Sequence, residues 1–153
     1  MSTHSYKYKA FVERGIDALN ANNMEAFLNP AGFSAHFIKY LLPQSMNWPP
    51  QTREEWYEDL KSGFVGQNYV EWKVTIQSYW EDTRDRSAII WCTERGTFVG
   101  DRNYEMDYVM RYKFDEEGKL LKLWEFTDSH LQKSLENKHQ EKGDADNDEA
   151  SLE

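Results

Sequence analysis

The sequence predicts an α+β domain in which a long, curved and mainly antiparallel sheet wraps around N-terminal helices. Three observations carry this prediction. Apolar residues near the N-terminus recur at helical spacing. From Tyr69 onward the apolar period becomes two and holds through four long segments separated by turn residues. The length of 153 residues suits one core, since single domains commonly hold roughly 100–150 residues.

From Tyr6 to Leu19 the side chains of Tyr8, Phe11, Val12, Ile16 and Leu19 recur at steps of three and four, and Lys7, Lys9, Glu13, Arg14 and Asp17 fill the opposite side. This is an amphipathic helix. "NANN" ends it, Met24 to Leu28 adds a further helical turn, and a short strand is expected around Ala35 to Leu41. Pro43, Pro49 and Pro50 force an extended loop, after which "TREE" forms a capping box with Thr52 as N-cap and Glu55 at N3. The second helix carries the stripe Trp56, Leu60, Phe64 and ends at Gly63 and Gly66. Strands are then expected over Tyr69–Trp80, Ala88–Phe98, Tyr104–Phe114 and Lys119–Thr127, joined as a meander, with a last short helix from Asp128 to Leu135. Gly96 and Gly100 read as a strand end and a turn.

Residues 1–138 are read as one folded domain and 139–153 as a disordered acidic tail, because "HQEKGDADNDEASLE" holds almost nothing to bury. In that tail six acids against one lysine carry −5 of the formal charge of −9, leaving about −4 on the body. A calcium loop does not fit there, since the sixth position is Glu149 rather than Gly. The body has no basic face, so nucleic acid is not an expected partner. Cys92 is the only cysteine, which rules out an intramolecular disulfide. No signal-peptide pattern or membrane-spanning apolar run is present, and a cytoplasmic protein is expected. The four histidines and one cysteine show no metal-ligand spacing, and no nucleotide or serine-hydrolase motif occurs, so neither metal nor cofactor is expected.

The stretch "LKLWEFTDS" carries the strongest chemical signal. Parity puts Leu121, Leu123, Glu125 and Thr127 on one face, so a carboxylate stands where the apolar face should continue. Pairing Phe114 with Lys119 across "DEEG" sets Tyr108 opposite Glu125, Met110 opposite Leu123 and Tyr112 opposite Leu121. Glu125 then lies among Met106, Tyr108 and Met110. Such surroundings favour a raised pKa and proton transfer near neutral pH. The competing reading is a structural Glu125, bonded to a backbone amide or to an arginine such as Arg95. His36 is the one histidine inside the expected elements, and Tyr40 is expected to share its face. Asp107 and Asp128 fall on the opposite parity. Six Trp, nine Tyr and eight Phe exceed what a small core needs, so some of Trp48, Trp56, Trp72 and Trp91 are expected to line an apolar pocket. Val109, Trp124 and Phe126 form an outward apolar patch, which points to a homodimer through that face.

The segments "HFIKYLLPQSMNWPPQTREEW" and "YEMDYVMRYKFDEEGKLLKLWEFTDS" resemble the fungal branch of the SnoaL-like group in the NTF2-like superfamily, and the resemblance spans about Tyr6 to Leu135. It implies a cone-shaped barrel, a cofactor-free pocket at its open end and pairing through the outer sheet face. The bacterial polyketide cyclases of this type carry His-Trp-Asp in the last strand, where this chain has Leu123, Trp124 and Glu125. The acid is kept as Glu, and the His is absent. The function expected is a cofactor-independent isomerase or cyclase of fungal secondary metabolism, acting by proton transfer next to a carbonyl on a polyketide- or terpenoid-derived substrate. In it Glu125, Tyr108 and His36 are catalytic, and Tyr40, Trp56, Trp91, Met106, Met110 and Leu123 bind a hydrophobic substrate. The alternatives are a non-catalytic dimeric ligand-binding module, or a dehydratase or epoxide hydrolase on the same scaffold.

Overall fold

The computed structural model describes residues 6–61 and 69–134. Its elements run α1 (Lys9–Asn20), α2 (Met24–Phe27), β1 (Phe33–Leu42), α3 (Arg53–Asp59), β2 (Tyr69–Asp82), β3 (Ser87–Phe98), β4 (Arg102–Phe114) and β5 (Leu120–Thr127), with a helical stretch over 129–134. The strands form one open sheet in the order β1-β5-β4-β3-β2. β2 to β5 are the expected antiparallel meander. β1 joins β5 in parallel, which makes the sheet mixed. Gly63, Phe64 and Gly66, with which the second helix was expected to end, lie outside the described residues, as does the tail over 139–153.

α1 forms because its apolar stripe finds a concave sheet to cover. Val12 and Ile16 are buried, and Phe11 and Leu19 pack against the same core. Tyr8, just before the helix, stacks on Phe114 at 4.1 Å between ring centroids. Both ends of α1 are tied to β2. The Glu81 carboxylate accepts the Lys7 and Tyr8 backbone N–H groups at 2.7 and 2.9 Å. At the other end Asn20 donates to the Val74 carbonyl at 2.8 Å and accepts its N–H at 2.7 Å. β2 is an edge strand, so Asn20 supplies the pair of hydrogen bonds a neighbouring strand would otherwise make. The expected capping box is present at α3, where Thr52 Oγ1 accepts from the Glu55 N–H and Glu55 accepts from the Thr52 N–H.

The β4–β5 register differs from the expected one by two residues. The turn closes on itself: Asp115 N–H donates to the Lys119 carbonyl at 2.9 Å, and Lys119 N–H donates to Asp115 Oδ1. The first ladder pair is therefore Phe114 with Leu120, and an irregularity leads next to Lys113 with Lys122, skipping Leu121. Glu125 pairs with Met110, Tyr112 with Leu123 and Tyr108 with Thr127. A two-residue slip preserves parity, so Glu125 stays on the inner face as expected.

Gly96 is not a strand end. It lies within β3, opposite Tyr104. A Cβ there would stand 2.3 Å from the Glu71 carbonyl oxygen and 2.8 Å from Tyr104 Oη. Gly100, with φ of 88°, does sit in the following turn. Among the described residues no helix is long and apolar enough to cross a membrane.

Candidate active site

The concave face of the sheet, α3 and the loop after β1 enclose a cavity of about 460 Å³, within the usual range of small-molecule sites at roughly 300–1,000 Å³. Its apolar wall includes Trp48, Trp56, Tyr69, Trp72, Met106 and Met110, and its polar groups include Lys39, Glu94, Tyr108 and Glu125.

Glu125 is not alone in this cavity. Lys39 Nζ lies 3.1 Å from its Oε2 and 4.3 Å from the Trp56 ring centroid. The competing reading of a structural ion pair thus finds a partner, and the partner is Lys39 rather than Arg95. Arg95 faces outward and pairs with Glu105 at 2.7 Å. The Lys39 side chain is 7% exposed, and its backbone is held on both sides by Gln51, whose N–H and carbonyl pair with it at 3.0 and 2.8 Å. The ammonium is therefore anchored at its root, stacked over an aromatic face and paired at its tip, an arrangement that compensates its desolvation.

A second carboxyl, absent from the expected set, lies on β3. Glu94 accepts from Tyr104 Oη at 2.5 Å and from Tyr108 Oη at 3.4 Å. Burial raises its pKa above the ordinary carboxylate range and the charge of Glu125 adds to this, against the lowering effect of the two phenols. Tyr108 thus serves Glu94 and not Glu125. Burial, with Glu94 and Glu125 nearby, holds its own ionisation far above the ordinary phenol range. Cys92, on the same inner row, is pushed up to about 12, mainly by burial.

Of the expected site residues, the structure brings Glu125, Tyr108, Trp56, Met106 and Met110 to the cavity. Leu123 is 1% exposed and belongs to the core. His36 and Tyr40 are placed otherwise than expected. In β1 the inner face is taken by Phe37 and Lys39, so the even-numbered His36 and Tyr40 face away. His36 is exposed, and Tyr40 stacks on Trp124 at 5.8 Å. Trp91 likewise lies on the outer face, 43% exposed. Asp107 is outward as parity required, bonded by Thr93 Oγ1 at 2.8 Å. Asp128 caps the stretch over 129–134 through the Leu131 N–H.

Lys39 and Glu94 did carry a sequence signal of the kind that singled out Glu125. Phe37-x-Lys39-x-Leu41 and Ile90-x-Cys92-x-Glu94 each place a charge on an apolar parity. Among the described residues no group of three His, Cys, Asp or Glu side chains is arranged to hold a metal ion.

No protein-family model and no curated protein sequence matches the chain. Solved structures do. PrhC from Penicillium brasilianum is 17% identical, covers 88% of each chain and superposes with a TM-score of 0.75. BvnE pinacolase from Penicillium brevicompactum is 17% identical over 95% of this chain and 97% of its own, with a TM-score of 0.73. AusH from Aspergillus nidulans is 18% identical over 78% and 82%, with a TM-score of 0.67. With an open curved sheet folded over N-terminal helices, and structural neighbours such as these, the chain has the NTF2-like cone fold.

Proposed function

We propose that the chain is a cofactor-independent isomerase or cyclase of fungal secondary metabolism that transfers a proton at a carbon beside a carbonyl of a polyketide- or terpenoid-derived molecule. The observation that carries this reading is the Lys39–Glu125 pair inside an aromatic-lined cavity. Lys39 Nζ binds the carbonyl oxygen and stabilises the negative charge that develops on it. Glu125 takes the proton from the neighbouring carbon and returns it elsewhere, or leaves the enolate carbon free to close a ring. A fixed cation at a developing oxyanion is commonly the largest single contribution to such a reaction, and the positioned base adds about 10²–10⁴ in rate. The pinacolase among the structural neighbours supports an enzyme over a passive container.

The working unit in this reading is a homodimer. Trp91 pairs with Val109, and Val109 with Phe126. These three side chains form one outward row, each more than two-fifths exposed, and a row of that kind is usually covered by a partner.

The ion pair also suits a second reading, a ligand-binding module with no chemistry, in which Lys39 and Glu125 only complete the wall. Incubating the protein with polycyclic and aryl-alkyl ketones in D₂O separates the two. Catalysed loss of the hydrogen next to the carbonyl, followed by NMR, supports the enzyme. Saturable binding without exchange across the panel supports the module.

A further inference from the structure

Glu94 takes no part in the proton transfer assigned to Lys39 and Glu125, yet its surroundings are built as carefully. It sits on the inner face of β3, lines the same cavity and accepts hydrogen bonds from Tyr104 and Tyr108. Gly96 is what lets Tyr104 reach it, because any side chain at that position would meet the Tyr104 hydroxyl and ring. Trp72 stands opposite Gly96, and Val74 stands opposite Glu94. Trp72 and Glu94 are therefore diagonal neighbours on one face, within reach of long side chains. Trp72 Nε1 is buried with no hydrogen-bond partner and belongs to a residue of the cavity wall. The only other such atom among the described residues is Tyr8 Oη, whose ring stacks on Phe114. The cavity thus carries two carboxyl sites, Glu125 with Lys39 on β5 and β1, and Glu94 with its two phenols on β3 and β4.

From these two sites we infer that the cavity accepts a β-hydroxy ketone and that Glu94 is a second catalytic residue, the acid that protonates the hydroxyl as it leaves. The inference rests on the reading of Lys39 and Glu125 given above. With the carbonyl oxygen on Lys39, Glu125 removes the proton between the two oxygenated carbons. The C–H electron pair forms the C=C bond, the C–O bond breaks with its pair going to oxygen, and that oxygen takes the Glu94 proton and departs as water. The products are a conjugated enone and water. Glu125 ends protonated and Glu94 ionised, and exchange with solvent resets both. Burial of Glu94, which disfavours its anion, suits a group that must hold a proton until the bond breaks.

The test uses 4-hydroxy-4-phenylbutan-2-one, whose dehydration gives a strongly absorbing enone, and its deoxy counterpart 4-phenylbutan-2-one, which reports α-hydrogen exchange alone. The wild-type chain is expected to form the enone. Glu94→Gln is expected to lower enone formation by about 10²-fold more than it lowers exchange. Enone formation that falls no more than exchange in Glu94→Gln overturns the inference, as does a wild-type chain that exchanges but forms no enone. A chain that neither exchanges nor dehydrates removes the underlying reading of Lys39 and Glu125, and the inference with it. Should Glu94→Gln not fold, the wild-type pH profile decides. The groups facing Glu94 are Tyr104 and Tyr108 on β4 and Glu125 on β5, with Cys92 on its own strand and Lys39 at the other site. The phenols and the thiol titrate only at alkaline pH, so an enone rate that falls as Glu94 loses its proton, with no such fall in exchange, supports the acid. Parallel profiles overturn it.

Discussion

Lys39 on β1 and Glu125 on β5 bring opposite charges to 3.1 Å across two parallel strands. Each is an exception to the apolar face of its own strand. Leu41 is the register partner of Glu125, and Leu123 that of Lys39, so the two charges meet on a diagonal. Removing one leaves the other's charge without its partner in a wall where Lys39 is buried and Glu125 half-buried. For Glu125→Gln the expected cost is about 1–3 kcal/mol, below the ~3–5 kcal/mol of a fully buried pair, because the Glu125 side chain keeps 22% exposure. Urea unfolding measures it. Lys39→Met in the same background should recover part of the loss, and an additive double variant would show that the pair contributes no coupling.

Gly96→Ala should destabilise the cone. The added methyl meets backbone, the Glu71 carbonyl oxygen at 2.3 Å, which cannot swing aside as a flexible side chain would. Strand β2 or the Tyr104 ring must move, at a cost of about 1–3 kcal/mol. A melting temperature equal to wild type would show that the strand gives way without strain.

Glu94 predicts a pH dependence of stability whose sign follows from its raised pKa. The folded state holds the Glu94 proton more tightly than the unfolded chain. The unfavourable contribution of the buried anion is thus fully present above the folded pKa, and it disappears as pH falls to the ordinary carboxylate range. Glu94→Gln lacks this term. Melting of both proteins between pH 5 and pH 8 should show wild type losing ground to the variant as pH rises. The opposite trend would mean that Tyr104 and Tyr108 outweigh burial.

Much of the fold was legible because periodicity reports burial directly. The meander, the capping box at Thr52 and the inner placement of Glu125 all follow from patterns within one element. The register of β4 against β5 was not legible, since it depends on how Asp115 folds back on Lys119 within the turn. The lateral position of β1 was hidden for a related reason, because parallel pairing with β5 joins segments far apart in sequence. The site was half legible. His36 was favoured for its chemistry, but Phe37 decides which way β1 faces, and burying that ring sends His36 to the outside. Lys39 and Glu94 interrupt their inner faces as Glu125 does, yet a single charged residue on an apolar parity becomes informative only when its cross-sheet partner is known.

The outward row of Trp91, Val109 and Phe126 predicts that Val109→Glu shifts the protein toward monomer, because it places a charge at the centre of an apolar contact. Light scattering at tens of micromolar checks this. A wild-type chain that is already monomeric at that concentration would remove the dimer.

Proton transfer by Glu125 is the central claim, and the exchange rate of a bound ketone in D₂O tests it most directly. Wild type and Glu125→Gln are compared at a temperature where circular dichroism shows both folded, with ketone affinity measured alongside. The variant is expected to bind the ketone still, while exchange at saturation falls by about 10²-fold or more. A folded Glu125→Gln variant that exchanges the ketone at the wild-type rate would contradict it.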